Sequence, residues 1–310
     1  VYEFHYYDPH AFTHQGFDWA GTLGNDVTYP DESYIVSGGD LQWGTSTFAG
    51  EQADTGDTAW QYLKSGRITP KADGTQLINL VFQAENLGEY GYARGDELRL
   101  DEYDEDGNWV QTIYAEDFDR NASLNFWSSD SSGGLYYVSG EGHEADGSLM
   151  IAGTTSDANG GSRYFCPTPG HSYEASGYFL VNTKNADAIV RPRVDVWDTD
   201  GVSVLNREYL EKTMAQNTAF SDKYNVPVYC GEFGAGVHCF EDDRGGDRWL
   251  DDVMDIFRGA DISFNYHAYN EGSFGLHNGS GLPAAANRNE TLYQVLTEKL
   301  QKYAGTGAIS

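Results

Sequence analysis

The chain has 310 residues, 39% hydrophobic and 14% aromatic, enough to build two cores at a typical domain size of roughly 100–200 residues. Its 19 Lys and Arg stand against 48 Asp and Glu, a net charge of −29, and such a surface repels phosphate backbones and anionic lipid. Nucleic acid and membrane are therefore set aside as partners, no apolar run is long enough to span a bilayer, and an acidic chain rich in Gly, Tyr and Trp suits neutral polar ligands such as glycans.

In chain order, Val1–Tyr7 alternates as a strand, with Glu3, His5 and Tyr7 on one face. Asp8-Pro9 stops it, and His10, His14 and Trp19 follow in a loop. Strand followed by loop does not hold His5, His10 and His14 on one face, so no metal site is expected there.

From about Tyr34 to Asp200, short alternating runs are separated by Gly, Ser, Asp and Thr turns. Examples are Gln76–Phe82, Trp109–Tyr114, Gly147–Ala152, Gly177–Val181 and Ile189–Trp197, with turn signals at Asp106-Gly107, Asp146-Gly147 and Asp200-Gly201. Many strands without helices predict an antiparallel sandwich. The run Glu102–Gly107 has the look of a calcium loop, but Ile113 stands where the twelfth-position carboxylate belongs, and a hairpin turn fits better. Trp109 and Trp197 lie in apolar strands and read as core.

After Asp200 the period changes to that of helices. Leu205, Tyr209, Leu210, Met214 and Phe220 mark a helix in Asn206–Ser221. Val226–Gly234 is a short buried strand ending on Glu232, bracketed by Gly231 and Gly234. Asp247 is the expected N-cap of a helix carrying Trp249, Leu250, Val253, Met254 and Phe257. Ile262–Tyr269 is another strand, and Glu290–Tyr303 is a closing helix. Strands and helices that alternate in this way predict a parallel sheet. The fold class is therefore α/β plus all-β, with residues 35–200 inserted between 1–34 and 201–310. Of Cys166, Cys230 and Cys239, no pair has metal-ligand spacing; a Cys230–Cys239 bridge is one option, and Cys230 as a small core residue is the other.

The α/β residues resemble glycoside hydrolase family 5, the retaining endoglucanase and mannanase family on a TIM (β/α)8 barrel. His5-Tyr6-Tyr7 is similar to its sixth-strand His-x-Tyr, Gly231-Glu-Phe-Gly234 to its seventh-strand nucleophile motif, and Ile262–Tyr269 with Phe274-Gly-Leu276 to its eighth strand and loop. The resemblance covers about Val1–Tyr34 and Gly201–Tyr303. It implies Glu232 as nucleophile, Tyr7 as its hydrogen-bond partner and His5 as an orienting residue. It also implies His267, His14 and Trp19 as substrate contacts, with His267 where the family usually has a Trp. The chain departs from the pattern because the first five strands and their Asn-Glu acid/base are absent; Asn270-Glu271 follows the eighth strand and does not take that role.

The inserted block resembles a jelly-roll-like carbohydrate-binding module, most visibly at His171–Val181. Sugar C–H faces pack on aromatic rings, so Trp43, Trp60 and Trp127, with Tyr62, Tyr90 and Tyr92, are stacking candidates. The reading is a fragment of a secreted β-glycosidase, endo-β-1,4-glucanase-like, acting on a β-linked glucan or mannan polysaccharide. Three strands of an eight-stranded barrel leave open edges, and the chain begins on a strand without Met, so it reads as incomplete and inactive alone, with a missing N-terminal half-barrel as a partner. No cofactor is expected, and a structural calcium ion in the sandwich stays open. The rival from another class is a non-catalytic carbohydrate-binding protein using the sandwich.

Overall fold

A computed structural model describes residues 2–20, 26–71, 73–120, 122, 124–144 and 147–305. Val1 and Asp146, used above for a strand start and a turn, lie outside the described residues. The chain is β-rich and divides into two compact units: residues 1–36 with 204–310, and residues 37–203. In order, β1 (Tyr2–Tyr6), α1 (His10–Thr13) and β2 (Asp31–Ser37) lead out of the first unit. The second unit holds β3 (Gln42–Ser46), β4 (Gln61–Ile68), β5 (Gln76–Glu85), β6 (Tyr92–Tyr103), β7 (Trp109–Glu116) and β8 (Asn125–Ser128). It continues with β9 (Gly134–Ser139), β10 (Gly147–Ala152), β11 (Asp157–Gly161), β12 (Ser172–Asn182) and β13 (Ile189–Asp198). The chain then returns through β14 (Ser203–Leu205), α2 (Arg207–Tyr224), β15 (Val228–Phe233), α3 (Gly246–Gly259), β16 (Ser263–Tyr266) and α4 (Glu290–Gly305).

In the first unit, β1, β15 and β16 form an open parallel sheet in the order β1-β15-β16. One face packs on the helices through Phe4, Tyr6, Cys230 and Phe233, while Glu3, His5 and Glu232 lie half-exposed on the other, and of Val226–Cys230 only Cys230 is fully buried. The core gathers Phe4, Tyr6, Cys230 and Phe233 from the strands and Trp249, Val253 and Phe257 from α3. Phe257 meets Phe233 edge-on at 5.0 Å, and the Trp249 indole donates to the Asp8 carbonyl at 3.0 Å. Tyr6 Oη, paired with Thr213 Oγ1 at 2.7 Å, ties the sheet to α2. The Asn206 side chain caps α2 by accepting from Tyr209 N, and Asn225 in the left-handed region ends it, one turn beyond the expected Ser221. Lys299 of α4, almost fully buried, bridges Asp251 and Asp255 of α3 at 2.7 and 2.8 Å.

Two expectations change here. The cap of α3 is Gly245, at φ 89°, and Asp247 sits inside the first turn; only a glycine adopts that backbone cheaply, and the aspartate is still well placed against the helix dipole. The last strand stops at Tyr266, because the chain folds back and Ala268 bonds Phe274 and Leu276 instead of a neighbouring strand. Of the two readings of Cys230, the core residue holds and the bridge to Cys239 does not: both are buried, and each thiol donates to a carbonyl, of Glu232 and Phe12.

In the second unit, a sheet ordered β4-β12-β6-β10-β9, with β7 on β6, faces a sheet ordered β3-β13-β5-β11-β8. The two enclose Leu80, Phe82, Leu98, Leu149, Phe179 and Val194, the alternating inward residues that the strand pattern demands. The Glu102–Gly107 run is the β6–β7 hairpin, where the Asp104 carboxylate accepts the Asp106 and Asn108 N–H groups. Trp109 is not core: it is 59% exposed, because β7 lies at a sheet margin and its first residues project into solvent. Trp197 is only half-buried, on the outer side of its sheet. Among the described residues, no helix is long and apolar enough to cross a membrane.

Two measurements check this packing. Trp249→Ala removes the largest fully buried side chain and should cost about 3–5 kcal/mol in urea unfolding; a loss under about 1 kcal/mol contradicts the core assignment. Burial raises Cys230 and Cys239 to about 12, so a thiol reagent at pH 8 should titrate one cysteine, exposed Cys166, in the native chain and three after denaturation.

Candidate functional site

The site is set by an irregularity in the β1–β15 pairing. Phe4 lies opposite Cys230 and Tyr6 opposite Phe233, all core-facing, yet one residue separates the first pair on β1 and two separate it on β15. Gly231 is the extra residue, so His5 faces Glu232. Such a bulge re-aims the side chain that follows it. A Cβ on Gly231 would overlap the Glu3 carboxylate, which is why a glycine occupies that place.

Glu232 stands near the C-terminal end of its strand with two partners. Tyr7 Oη donates to Glu232 Oε2 at 3.0 Å, and His5 Nδ1 lies 3.4 Å from the same oxygen. The other His5 nitrogen lies 3.3 Å from Glu3 Oε1, so the imidazole spans two carboxylates. Burial, and then the bond to Glu232, push the Tyr7 phenol well above its ordinary range, so it acts as a hydrogen-bond donor.

Beside this cluster is a cleft of about 410 Å³, walled by Tyr7, His14, Trp19, His267, Glu271 and Phe274. Phe274, 4% exposed, is its hub: His14 lies 5.1 Å away, Tyr7 5.6 Å, His267 6.2 Å and Trp19 6.3 Å between ring centroids. Glu271 is fixed by Ser273 N at 2.9 Å and by Phe274 N, which leaves its remaining lone pairs for a ligand's hydroxyls.

The structure thus brings Glu232, His5 and Tyr7 into one cluster, and His14, Trp19 and His267 into the adjoining cleft. Trp43, Trp60 and Trp127 belong to the other unit. Trp43 and Trp127 lie on the outer face of the β3–β8 sheet, while Trp60 precedes β4 and meets His143 edge-on at 6.0 Å. Sequence reasoning missed Glu3 and Phe274 and assigned nothing to Glu271. Glu3 had a signal, the shared strand face with His5; Phe274 had one in the loop resemblance, but its place and that of Glu271 in the cleft depend on the fold-back at Ala268. Among the described residues, no group of three His, Cys, Asp or Glu side chains has metal-binding geometry.

No family model matches the chain, and no curated protein matches it. One solved structure to which it is similar is the family 3a carbohydrate-binding module from the cipA scaffolding of Clostridium thermocellum. The identity is 11%, covering 53% of this chain and 99% of that one, at a TM-score of 0.20. A superposition that loose carries no argument about fold or ligand. The family 5 likeness therefore remains a resemblance of motifs.

The cage has a consequence for pH. Burial, with His10 in second place, lowers His14 from 6.5 to about 4. Below about 6.5 the unfolded chain takes up a proton that the folded chain refuses until about 4, so stability falls with pH across that window and levels off beneath it. His14→Phe should flatten the Tm–pH profile between pH 6.5 and 4; an unchanged slope contradicts the assignment.

Proposed function

We propose that the chain is a carbohydrate-binding protein and that the cleft beside Glu232 receives a sugar ring of a neutral, β-linked polysaccharide outside the cell. The observation that carries this reading is a cleft with aromatic walls and fixed carboxylates. Trp19 and His14, backed by the buried Phe274, offer faces to sugar C–H groups, and Glu271 and Glu232 accept hydrogen bonds from its hydroxyls. The chain's charge of −29 argues against an anionic polymer as ligand. In isothermal titration with cellotetraose and mannotetraose, the native chain should bind one of the two, and Trp19→Ala should weaken it at least tenfold. Binding of neither, or equal binding by the variant, overturns the reading.

The Tyr7–Glu232 hydrogen bond favours a second reading, in which Glu232 is the nucleophile of a retaining glycosidase, at strands six to eight of a (β/α)8 barrel. Tyr7 would hold the attacking carboxylate, and His5 would orient it against the sugar. The acid/base carboxylate, about 5–5.5 Å from the nucleophile in such enzymes, would come from strands other than these three. Fluoride leaves without protonation, so an activated 2-deoxy-2-fluoro-cellobiosyl fluoride bypasses the acid. Glu232 forms the bond to C1 as the C–F bond breaks and fluoride departs. Mass spectrometry should place the sugar on Glu232, with no adduct on Glu232→Gln; an adduct surviving that substitution rejects the role.

A further inference from the structure

The chain carries more negative charge than its own cations can answer. With 48 Asp and Glu against 19 Lys and Arg, pairing one to one would still leave 29 carboxylates without a cation. Neither unit escapes the excess: residues 37–203 hold 27 of the acids and 10 of the cations, and the rest of the chain holds 21 and 9. In the first unit the cations are shared. Arg207 serves Glu211 at 2.8 Å and Asp252 at 2.7 Å, and Lys299 serves both Asp251 and Asp255. Arg244 serves Glu241 at 3.6 Å and Asp242 at 2.9 Å. In the candidate site one imidazole, that of His5, lies between Glu3 and Glu232.

In the second unit several turn carboxylates are held by neutral donors. Asp73 accepts from the Thr75 hydroxyl and N–H, Asp104 from the Asn108 side chain and N–H, and Asp130 from Ser132 N at 2.9 Å and the Thr155 hydroxyl at 2.8 Å. The side chains of Thr75, Asn108 and Ser132 do most to hold these three carboxyls below the usual carboxylate range. Their charge is thereby locked on, and mild acid does not relieve it. The β6–β7 hairpin alone packs Asp101, Glu102, Asp104, Glu105 and Asp106 into six positions. Carboxylates on adjacent strands or successive turn residues sit roughly 5–10 Å apart. Salt near 0.15 M screens over about 8 Å and leaves such pairs repelling, whereas 1 M salt screens over about 3 Å. Unfolding moves the charges apart, so the repulsion weighs most on the compact state.

We propose that the fold is salt-gated: both units reach full stability only in a medium with molar concentrations of an alkali chloride, whose cations screen the carboxylates that Lys and Arg leave uncovered. The device needs no discrete ion site. It is spread over the surface, through turns such as Asp54–Asp57, Glu102–Gly107 and Glu241–Asp243. Salt gating is independent of the glycan reading but agrees with it, because a neutral sugar stacked on rings loses nothing when charge is screened.

Thermal unfolding of the full chain, followed by circular dichroism at pH 7 in 0.1, 1 and 3 M KCl, tests the gate. Tm should rise by about 15 °C or more between 0.1 and 3 M, or the chain should be unfolded at 0.1 M and fold as KCl is added. A rise under about 3 °C overturns the gate. Salt also strengthens apolar burial, so a second comparison separates the two causes. Five exposed carboxylates outside the cores and the cleft are neutralised together, as Glu89→Gln, Glu105→Gln, Asp187→Asn, Asp222→Asn and Glu298→Gln. Repulsion grows as the square of the net charge, so going from −29 to −24 should remove about a third of the salt-induced rise. A variant whose rise equals that of the native chain assigns the effect to apolar burial and rejects the gate. If the variant does not fold, sucrose at equal osmolality decides, since it favours burial without screening charge. It should raise the native Tm far less than KCl does, and an equal rise rejects the gate.

Discussion

The pairing of β1 with β15 is the constraint on which the candidate site depends. Two residues of β15, Gly231 and Glu232, occupy the length that His5 occupies on β1. The core pairs on either side, Phe4 with Cys230 and Tyr6 with Phe233, cannot move without exposing apolar surface. The bulge therefore holds Glu232 outward, and Tyr7, one residue past the strand, meets its carboxylate at 3.0 Å. A regular strand would alternate Glu232 to the other face, or else lift Phe233 out of the core.

Packing and polarity are divided differently in the two units. In the first, the aromatic residues do two jobs. Tyr6, Trp249, Phe233 and Phe257 bind the sheet to α3, while Tyr7, His14, Trp19 and Phe274 wall an open cleft. The change from one set to the other occurs between Tyr6 and Tyr7, as β1 ends. In the second unit, the same choice is made strand by strand, because alternate residues of β5 and β13 point to opposite sides. One side is a hydrocarbon core; the other is a row of amides with the Arg193–Asp195 pair, bordered by indoles. Buried polar groups of that kind hold a single arrangement only when nearly all are satisfied, and Asn159 Oδ1 is one buried acceptor without a hydrogen-bond partner among the described residues.

Much of the architecture was legible because it follows from period. The switch from alternating runs to helical spacing after Asp200 marks where strands give way to α2, and the apolar rows of α3 and α4 are evident in the sequence. His5, Tyr7 and Glu232 were readable as a group, since His5 and Tyr7 share a strand face and Glu232 sits between two glycines. Burial was less legible. Trp109 lies in an apolar run and yet projects from a sheet margin, because exposure depends on which strand has a neighbour. Trp197 has the same local pattern and is half-buried for a different reason, its hydrogen bond to Asn79, 118 residues away in sequence.

The sequence by itself determined the strand and helix periods and the acidic surface that disfavours anionic partners. Those properties depend on residues within a few positions of each other or on simple sums over the chain. The tertiary structure alone decided that Phe274 is the hub of a cleft, that Glu271 is held by its own loop, and that Trp43, Trp127 and Trp197 share one face with Asn159. Each of these depends on strand order, register and loop closure between residues far apart in the chain. Long-range pairing is set by the collective packing of two cores, which no local run of side chains encodes.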